Sequence, residues 1–384
     1  MEKSVHSLHE AENLKGKIVL LRLDLDVSIQ NGKIENDFRL RGGIPTIEYL
    51  KKQGAKIVII GHIESEGVDT LGEIYAYYKK LFPLTFITDP ISSLKREQFE
   101  AMRESDVVLL ENLRKNPGEK KNDPAYVAQL ASLGDIYVND SFAVCHRPHA
   151  SIIGLPGKLP SFAGFVLENE IKHLSRAFAP KSPFLFILGG AKFDTKLPLV
   201  KKFLDIADTI YLCGALANDC WKEQGLSVGI SKVSENTYDI GNIVKNRKII
   251  LPVDVRVKSK EGSVEIKHPA EVTGEDSIVD AGPESLSDLK KLINTSSFIL
   301  WNGPLGLYEG GFKESTLAVA NMIIESKAES IVGGGDTLSA IDELHLEKKF
   351  GFVSTGGGSM LEFLASETLV GIEALKKNVT QDMS

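Results

Sequence analysis

Short runs of Val, Ile and Leu recur along the chain with amphipathic stretches between them: KIVLLRLDL, KIVIIGH, DVVLLEN and DIYVND in the first half, then FLFILGG, TIYLCG, KIILPVD, SFILWNGP, SIVGGGD and FVSTGGG. A strand that is apolar on both faces has to be covered on both. Such strands alternating with helices are the pattern of parallel sheets carrying helices on either side, so an α/β fold is expected. The two groups of runs are separated by Leu159 to Pro183, within which Phe165 to Phe178 predicts one helix ended by Pro180. Two α/β halves joined by a helix imply a cleft. Nearly every run ends in a polar or glycine-rich tail, and ligands of open α/β sheets bind beyond the carboxyl ends of the strands.

The tails divide by chemistry. Those of the first group carry Arg22, Asp24, His62, Arg114, Asp140 and Arg147, a set suited to a small anion. Those of the second carry glycines, Lys192, Lys196, Asn302 and Asp336. In IVGGGDT and FVSTGGG a glycine triplet follows an apolar run and precedes a helical pattern, LSAIDEL or SMLEFLA. Successive glycines let backbone N–H groups approach an anion, and a helix N-terminus behind them adds partial positive charge. Asp336, directly after one triplet, is a hard oxygen ligand suited to magnesium riding on phosphates. In GGAKFDTK, Lys192 and Lys196 are four apart and share one helix face. WNGPLGLYE places a glycine- and proline-rich turn after a buried run, with Glu309 available for ribose hydroxyls. Neither a GxxxxGK[ST] nor a GxGxxG pattern occurs, so P-loop and dinucleotide readings lose support and a nucleotide held in another way is expected.

Composition narrows the partners. With net charge −7 and a pI near 5.7, a broad nucleic-acid surface is not expected, so an anionic substrate has to be met by a local cluster. Scattered Lys-Lys pairs, including Lys120-Lys121, read as solvated helix faces. No apolar run approaches the roughly 18 residues of a membrane span, and the N-terminus lacks an apolar signal core, so an unexported cytoplasmic protein with no membrane partner is expected. Cys145, Cys213 and Cys220 are odd in number, which fits a reducing compartment. His146 and His149 beside Cys145 lack a second ligand pair and read as bracing for the loop that carries Arg147.

Taken in order, RLDLDV, DFRLRGGIPTI, GH, LLENLR, YVNDSFAVCHRPHAS, ILGGAKFDTK, LPVDV, DAGPES, WNGPLGLYE, GGGDT and VSTGGGSMLE resemble phosphoglycerate kinase from about Val19 to Glu362. The resemblance implies two Rossmann-like three-layer α/β domains with parallel sheets, closing about a hinge helix. The expected division is a glycerate-binding domain over 1–164, the hinge helix over 165–180, a nucleotide-binding domain over 181–367, and a C-terminal segment, 368–384, that returns to the first domain. It implies a glycolytic phosphotransferase that moves the C1 phosphoryl group of 1,3-bisphosphoglycerate to ADP, giving 3-phosphoglycerate and ATP. Magnesium is the implied cofactor, and a monomer is expected. By motif, Asp24, Asp26, Arg39, His62, Arg114 and Arg147 would face the glycerate. Arg39 and Lys192 would also neutralise the phosphoryl group in flight, with amides of Gly356, Gly357 and Gly358 presented to it. Gly190, Ala191, Lys196, Gly214, Ala215, Asn302, Pro304, Glu309, Gly335 and Thr337 would hold the nucleotide, and Asp336 the metal.

Departures gather on the glycerate side. The family's RxDxN has Asp26 at its Asn position, and its SHLGRP loop is GHIESEG here, placing Ser65 where an arginine is expected, flanked by Glu64 and Glu66. Asn169 stands for a lysine, Cys213 and Ala215 for glycines, and Lys115 for an aromatic residue. Arg41 and Lys115 are the candidates to replace the missing cation. The altered pocket leaves open a kinase for another small carboxylate, or a nucleotide-binding regulatory protein without catalysis.

Overall fold

The computed structural model describes residues 5–190, 193–236 and 239–378. They fall into two compact units, one formed by the chain up to Lys172 and again from Ser366 onward, the other by His173–Ala365. The first division lies inside the segment read as a hinge. That segment is an α-helix over Phe165–Leu174 followed by a tighter 3-10 turn over Ser175–Phe178.

The first unit is built on a six-stranded parallel sheet: β1 (Ile18–Leu23), β2 (Lys56–Ile60), β3 (Thr85–Ile87), β4 (Val107–Leu110), β5 (Ile136–Asp140) and β6 (Ser161–Ala163), in the order β3-β4-β2-β1-β5-β6. The apolar runs become strands because both faces are covered. Every residue of β1, β4 and β5 is buried, and Val19, Leu21, Ile57, Ile59 and Val138 join Ile47 and Leu50 of helix α1 (Phe38–Lys52) in one core. Because all strands run the same way, their carboxyl ends share one edge of the sheet, and Asp24, His62, Glu111 and Asp140 all sit there. Gly371, in the C-terminal helix Val370–Asn378, donates its N–H to Cys145 O at 2.9 Å and ties that helix to this unit.

The second unit repeats the plan with β7 (Phe184–Leu188), β8 (Thr209–Leu212), β9 (Ile249–Ile250), β13 (Phe298–Asn302), β14 (Glu329–Gly333) and β15 (Phe352–Ser354), in the parallel order β9-β8-β7-β13-β14-β15. Between β9 and β13 the chain inserts an antiparallel sheet of β10 (Val255–Lys258), β11 (Val264–Lys267) and β12 (Ser277–Ala281). Val255 and Val257 of that sheet pack on Ala217 and Trp221 of helix α2 (Ala215–Glu223), a small core beside the main one. In sequence order the six parallel strands are arranged 3-2-1-4-5-6, and the direction of winding reverses between β7 and β13. That reversal leaves a crevice at the strand ends.

Candidate functional site

Strand β1 carries Arg22 into the interior, where it has no exposed surface. A buried guanidinium is tolerated only when its donors find acceptors. Nε donates to Ser151 Oγ at 3.1 Å, Nη1 to the Leu23 carbonyl, and Nη2 to His62 Nδ1 at 2.6 Å. Ser151 in turn donates to Glu119 Oε1 at 2.5 Å, so a buried carboxylate balances the arginine through one hydroxyl. An arginine nitrogen only donates, so His62 Nδ1 is the acceptor and the ring proton is on Nε2. Burial and the surrounding arginines hold the His62 pKa far below its ordinary value and keep the ring neutral. Nε2 is buried, makes no hydrogen bond among the described residues, and lies 3.8 Å from Asp26 Oδ2. The ring therefore presents one fixed, unspent donor.

Asp24 and Asp26 follow β1. Arg39, in the first turn of α1, reaches back to both: Nη1 donates to Asp26 O at 2.8 Å, and Nε lies 3.3 Å from Asp24 Oδ2. Burial raises both carboxyl pKa values, with Arg39 the largest opposing influence on each. Arg114 stands in a 3-10 turn after β4, its N–H accepted by Asn112 Oδ1 at 3.1 Å. Burial lowers its pKa to about 10, opposed first by Asp26. Arg147 is exposed, in the turn after Val144. Asp24, Asp26, Arg39, His62 and Arg114 are thus linked at one sheet edge by direct contacts or mutual charge effects.

The altered residues can be read directly. Ser65 Oγ accepts the Ile29 N–H at 3.1 Å and supplies no cation. Both proposed substitutes have partners: Arg41 pairs with Asp37 at 2.7 Å, and Lys115 with Glu111 at 3.0 Å. Lys120, assigned from the sequence to a solvated face, contacts Glu64, which also contacts Arg114. The sequence places Arg22 in the small-anion set, without a partner, and Glu64 only as a neighbour of Ser65; Glu119 and Lys120 are the residues it does not connect with this pocket.

In the second unit, β7 and β13 are in register with Leu188 beside Asn302, so the two strand ends meet at the crevice. Gly189 donates to Asn302 O at 2.9 Å, and a Cβ on Gly189 would run into the Pro304 carbonyl oxygen. Gly190 and Gly303 have φ of +99° and +91°, a region that favours glycine. Trp301 is buried and its indole N–H staples the turn by donating to Gly303 O at 2.9 Å. A cavity of about 440 Å³ opens here, lined by Gly190, Gly214, Ala215, Pro304, Glu309 and Asp336 from the predicted set. Leu307, from within WNGPLGLYE, and Trp221 and Ile230, which no motif announced, add apolar walls.

Lys196 sits behind this cavity on helix α3 (Phe193–Ile206), with Nζ donating to Gly189 O. Burial lowers its pKa to about 8, against the opposing influence of Cys213 and Asp336. Asp336 lies in the first turn of helix α4 (Gly335–Glu343), which Gly335 opens. Burial raises its carboxyl pKa, Glu309 pushes in the same direction, and Lys196 opposes. Thr337 and Asn302 are buried braces: Thr337 Oγ1 accepts the Gly303 N–H at 3.0 Å, and Asn302 Nδ2 points to Met360 Sδ at 3.7 Å. Gly357 has φ +52°, Gly358 opens helix α5 (Gly358–Ser366), and Ser354 Oγ accepts the Gly356 N–H at 3.2 Å. Ala191 and Lys192 lie outside the described residues.

A crevice at the switch point of a 3-2-1-4-5-6 sheet is the arrangement of the α/β class of nucleotide-binding proteins, and this chain also carries a buried arginine–histidine pocket. Comparison narrows the class. The profile of the phosphoglycerate kinase family matches residues 8–367. The chain is 38% identical over 389 residues to the phosphoglycerate kinase of Orientia tsutsugamushi strain Ikeda, covering 95% of this chain and 96% of that relative. It is 36% identical over 393 residues to that of Dictyoglomus turgidum, covering 98% and 99%. The solved structure of phosphoglycerate kinase from Coxiella burnetii superposes with a TM-score of 0.84 at 34% identity, covering 99% of this chain and all of that one. That from Pyrococcus horikoshii gives 0.86 at 29% identity, covering 98% of this chain. The chain belongs to the phosphoglycerate kinase family.

Proposed function

We propose that this protein catalyses reversible transfer of the C1 phosphoryl group of 1,3-bisphosphoglycerate to ADP. The observation that carries this reading is the cavity at the β7/β13 switch point, where six of the residues expected at the nucleotide share one wall system. On this reading the second unit binds the nucleotide, with its phosphates directed toward Lys196 and the start of α4. The first unit binds the glycerate: the neutral His62 Nε2–H serves an acceptor oxygen, and Arg114 and Arg147 meet the anionic groups. Phosphoryl transfer needs little covalent help from the protein, so Arg39, Lys192 and the Gly356–Gly358 amides act by neutralising charge on the moving group. A coupled assay with 3-phosphoglycerate and ATP tests this reading. Turnover of another small carboxylate in preference, or none, would overturn it.

Asp336 fits a magnesium ion carried by the nucleotide: its carboxylate lines the cavity at a helix start, which is where phosphates bind. The ion would supply charge neutralisation to the phosphates. Asp336→Ala is expected to raise the magnesium concentration needed for half-maximal rate about tenfold or more while leaving the KM for 3-phosphoglycerate near its wild-type value. Titrating each against the variant checks it, and an unchanged magnesium dependence would remove Asp336 from the metal role.

The same reading assigns a cost to the altered loop. Ser65 offers no cation, and the Asp26 carboxylate adds negative charge beside an anionic ligand. Restoring the family residues in Ser65→Arg with Asp26→Asn is expected to lower the KM for 3-phosphoglycerate by about tenfold, the worth of one charge-assisted phosphate contact. Steady-state kinetics at fixed ionic strength measure it.

A further inference from the structure

The anion pocket already holds an anion, and it belongs to the chain. Glu64 reaches Arg114 Nη1 with Oε2 and Lys120 Nζ with Oε1, so a single carboxylate spans both cations. Arg114 is 94% buried by side chain, and its Nε and Nη1 have no well-formed hydrogen bond among the described residues, so the contact is one of charge without good bonding geometry. Glu64 is delivered to this position by its backbone: its N–H donates to Asp26 Oδ1 at 2.8 Å. Its own side chain stays 42% exposed and Lys120 55% exposed, so water can take over the Lys120 contact at small cost, while the buried Arg114 needs another anion in place of Glu64.

We propose that Glu64 is a displaceable internal ligand of the Arg114–Lys120 site, which the substrate phosphate must evict, and that it thereby sets the affinity of this chain for phosphorylated carboxylates. The inference rests on the proposed function for the identity of the ligand. Its physical basis is separate. A carboxylate resting on two cations lowers the field an incoming phosphate meets, and the apparent affinity is the intrinsic one multiplied by the fraction of sites the carboxylate leaves unoccupied. Eviction leaves Glu64 solvated, which its exposure permits. Lys120 then becomes a phosphate ligand in place of the arginine absent at Ser65.

Calorimetric titration of the whole protein with 3-phosphoglycerate, together with its KM and that for ATP, tests the proposal in wild type, Glu64→Gln, Lys120→Ala and the double variant. Glu64→Gln keeps the backbone N–H and the side-chain size and removes only the charge. It is expected to tighten 3-phosphoglycerate binding about three- to tenfold and to lower its KM alike, with the KM for ATP unmoved. The affinity should also fall more steeply with salt than in wild type, because one more positive charge is left for the ligand. Lys120→Ala should weaken binding more in the Glu64→Gln background than alone, a coupling that a purely structural Glu64 would not produce. Unchanged or weaker binding by Glu64→Gln, in a wild type that turns over 3-phosphoglycerate, overturns the inference and leaves the proposed function standing. A wild type and a Glu64→Gln variant that both fail to bind 3-phosphoglycerate overturn both.

Discussion

Arg39→Ala is expected to reduce turnover by a hundredfold to several thousandfold while ADP affinity stays near its wild-type value. The guanidinium stands at the positive end of α1, is only partly exposed, and is aimed by two contacts, to the Asp26 carbonyl and the Asp24 carboxylate. A cation fixed in this way does not have to be reoriented when charge develops on a transferring group. Removing one such transition-state charge costs about 3–5 kcal/mol. Nucleotide affinity should be spared because the two residues that aim Arg39, Asp24 and Asp26, belong to the first unit, whereas the cavity proposed for the nucleotide is built from the second. Pre-steady-state and equilibrium measurements on the same preparation separate the two quantities. Near-normal turnover would take Arg39 out of the catalytic role, and a parallel loss of ADP binding would mean the variant is damaged more widely. Because Asp24 is buried, losing Arg39 also leaves its carboxyl without its main electrostatic support. Some loss of stability should therefore accompany the loss of rate, and thermal denaturation should register it.

Lys196→Met is the second large effect expected: ADP affinity falls about ten- to a hundredfold, the worth of one or two charge-assisted contacts to phosphate, without a matching fall in stability. Methionine keeps the unbranched apolar stem, one atom shorter, and removes the charge. The stability expectation follows from the sign of the pKa shift. In the folded protein the group titrates near 8, below its ordinary 10.5, so the fold favours the neutral form. Lys196 therefore opposes folding at pH below about 8, where it is charged, and that cost fades as pH rises from about 8 toward 10.5. Removing the ammonium at pH 7 relieves the cost, offset in part by loss of its bond to the Gly189 carbonyl. Binding runs the other way, since phosphate prefers the charged form. ADP affinity of the wild type should weaken between pH 7 and 9 beyond the loss shared by Lys196→Met, whose affinity lacks this titration. Titrations of both proteins at the two pH values measure it, and parallel pH profiles would show that the Lys196 charge does not serve the nucleotide.

A charged residue that destabilises its own fold is common where function needs a cation in a dry place. His62 is the complementary case in the first unit. Its neutrality is enforced by burial and then by Arg22, so the pocket holds a donor that does not titrate across physiological pH. The two groups give the protein opposite pH behaviours: the His62 donor is constant, and the Lys196 cation is lost in mild alkali.

Much of this was legible in the chain itself. Apolar runs bounded by polar or glycine-rich tails determined ten of the twelve described parallel strands, because burial on both faces is a demand met by local composition, but they left out Thr85–Ile87, Ser161–Ala163 and the antiparallel sheet. The glycine clusters marked the crevice for a similar reason. A backbone at positive φ, or one pressed against a neighbouring carbonyl as Gly189 is against Pro304, excludes a Cβ whatever the rest of the fold does. Asp336 and Lys196 could be picked out by their distance from those glycines.

Tertiary structure alone decided the strand order, and with it the switch point that brings Gly189 beside Gly303 from more than a hundred residues away. It decided that Arg22 orients His62, that Ser65 is engaged by the Ile29 amide, and that Arg41 and Lys115 are occupied by partners of their own. It also set Lys120, one of many lysines on helix surfaces, against the Glu64 carboxylate that Arg114 shares. These are pairings between residues far apart in sequence. A side chain's type and spacing say what it can bind, but whether its charge is free depends on which other charges the fold brings within a few ångströms, and no local pattern carries that distance.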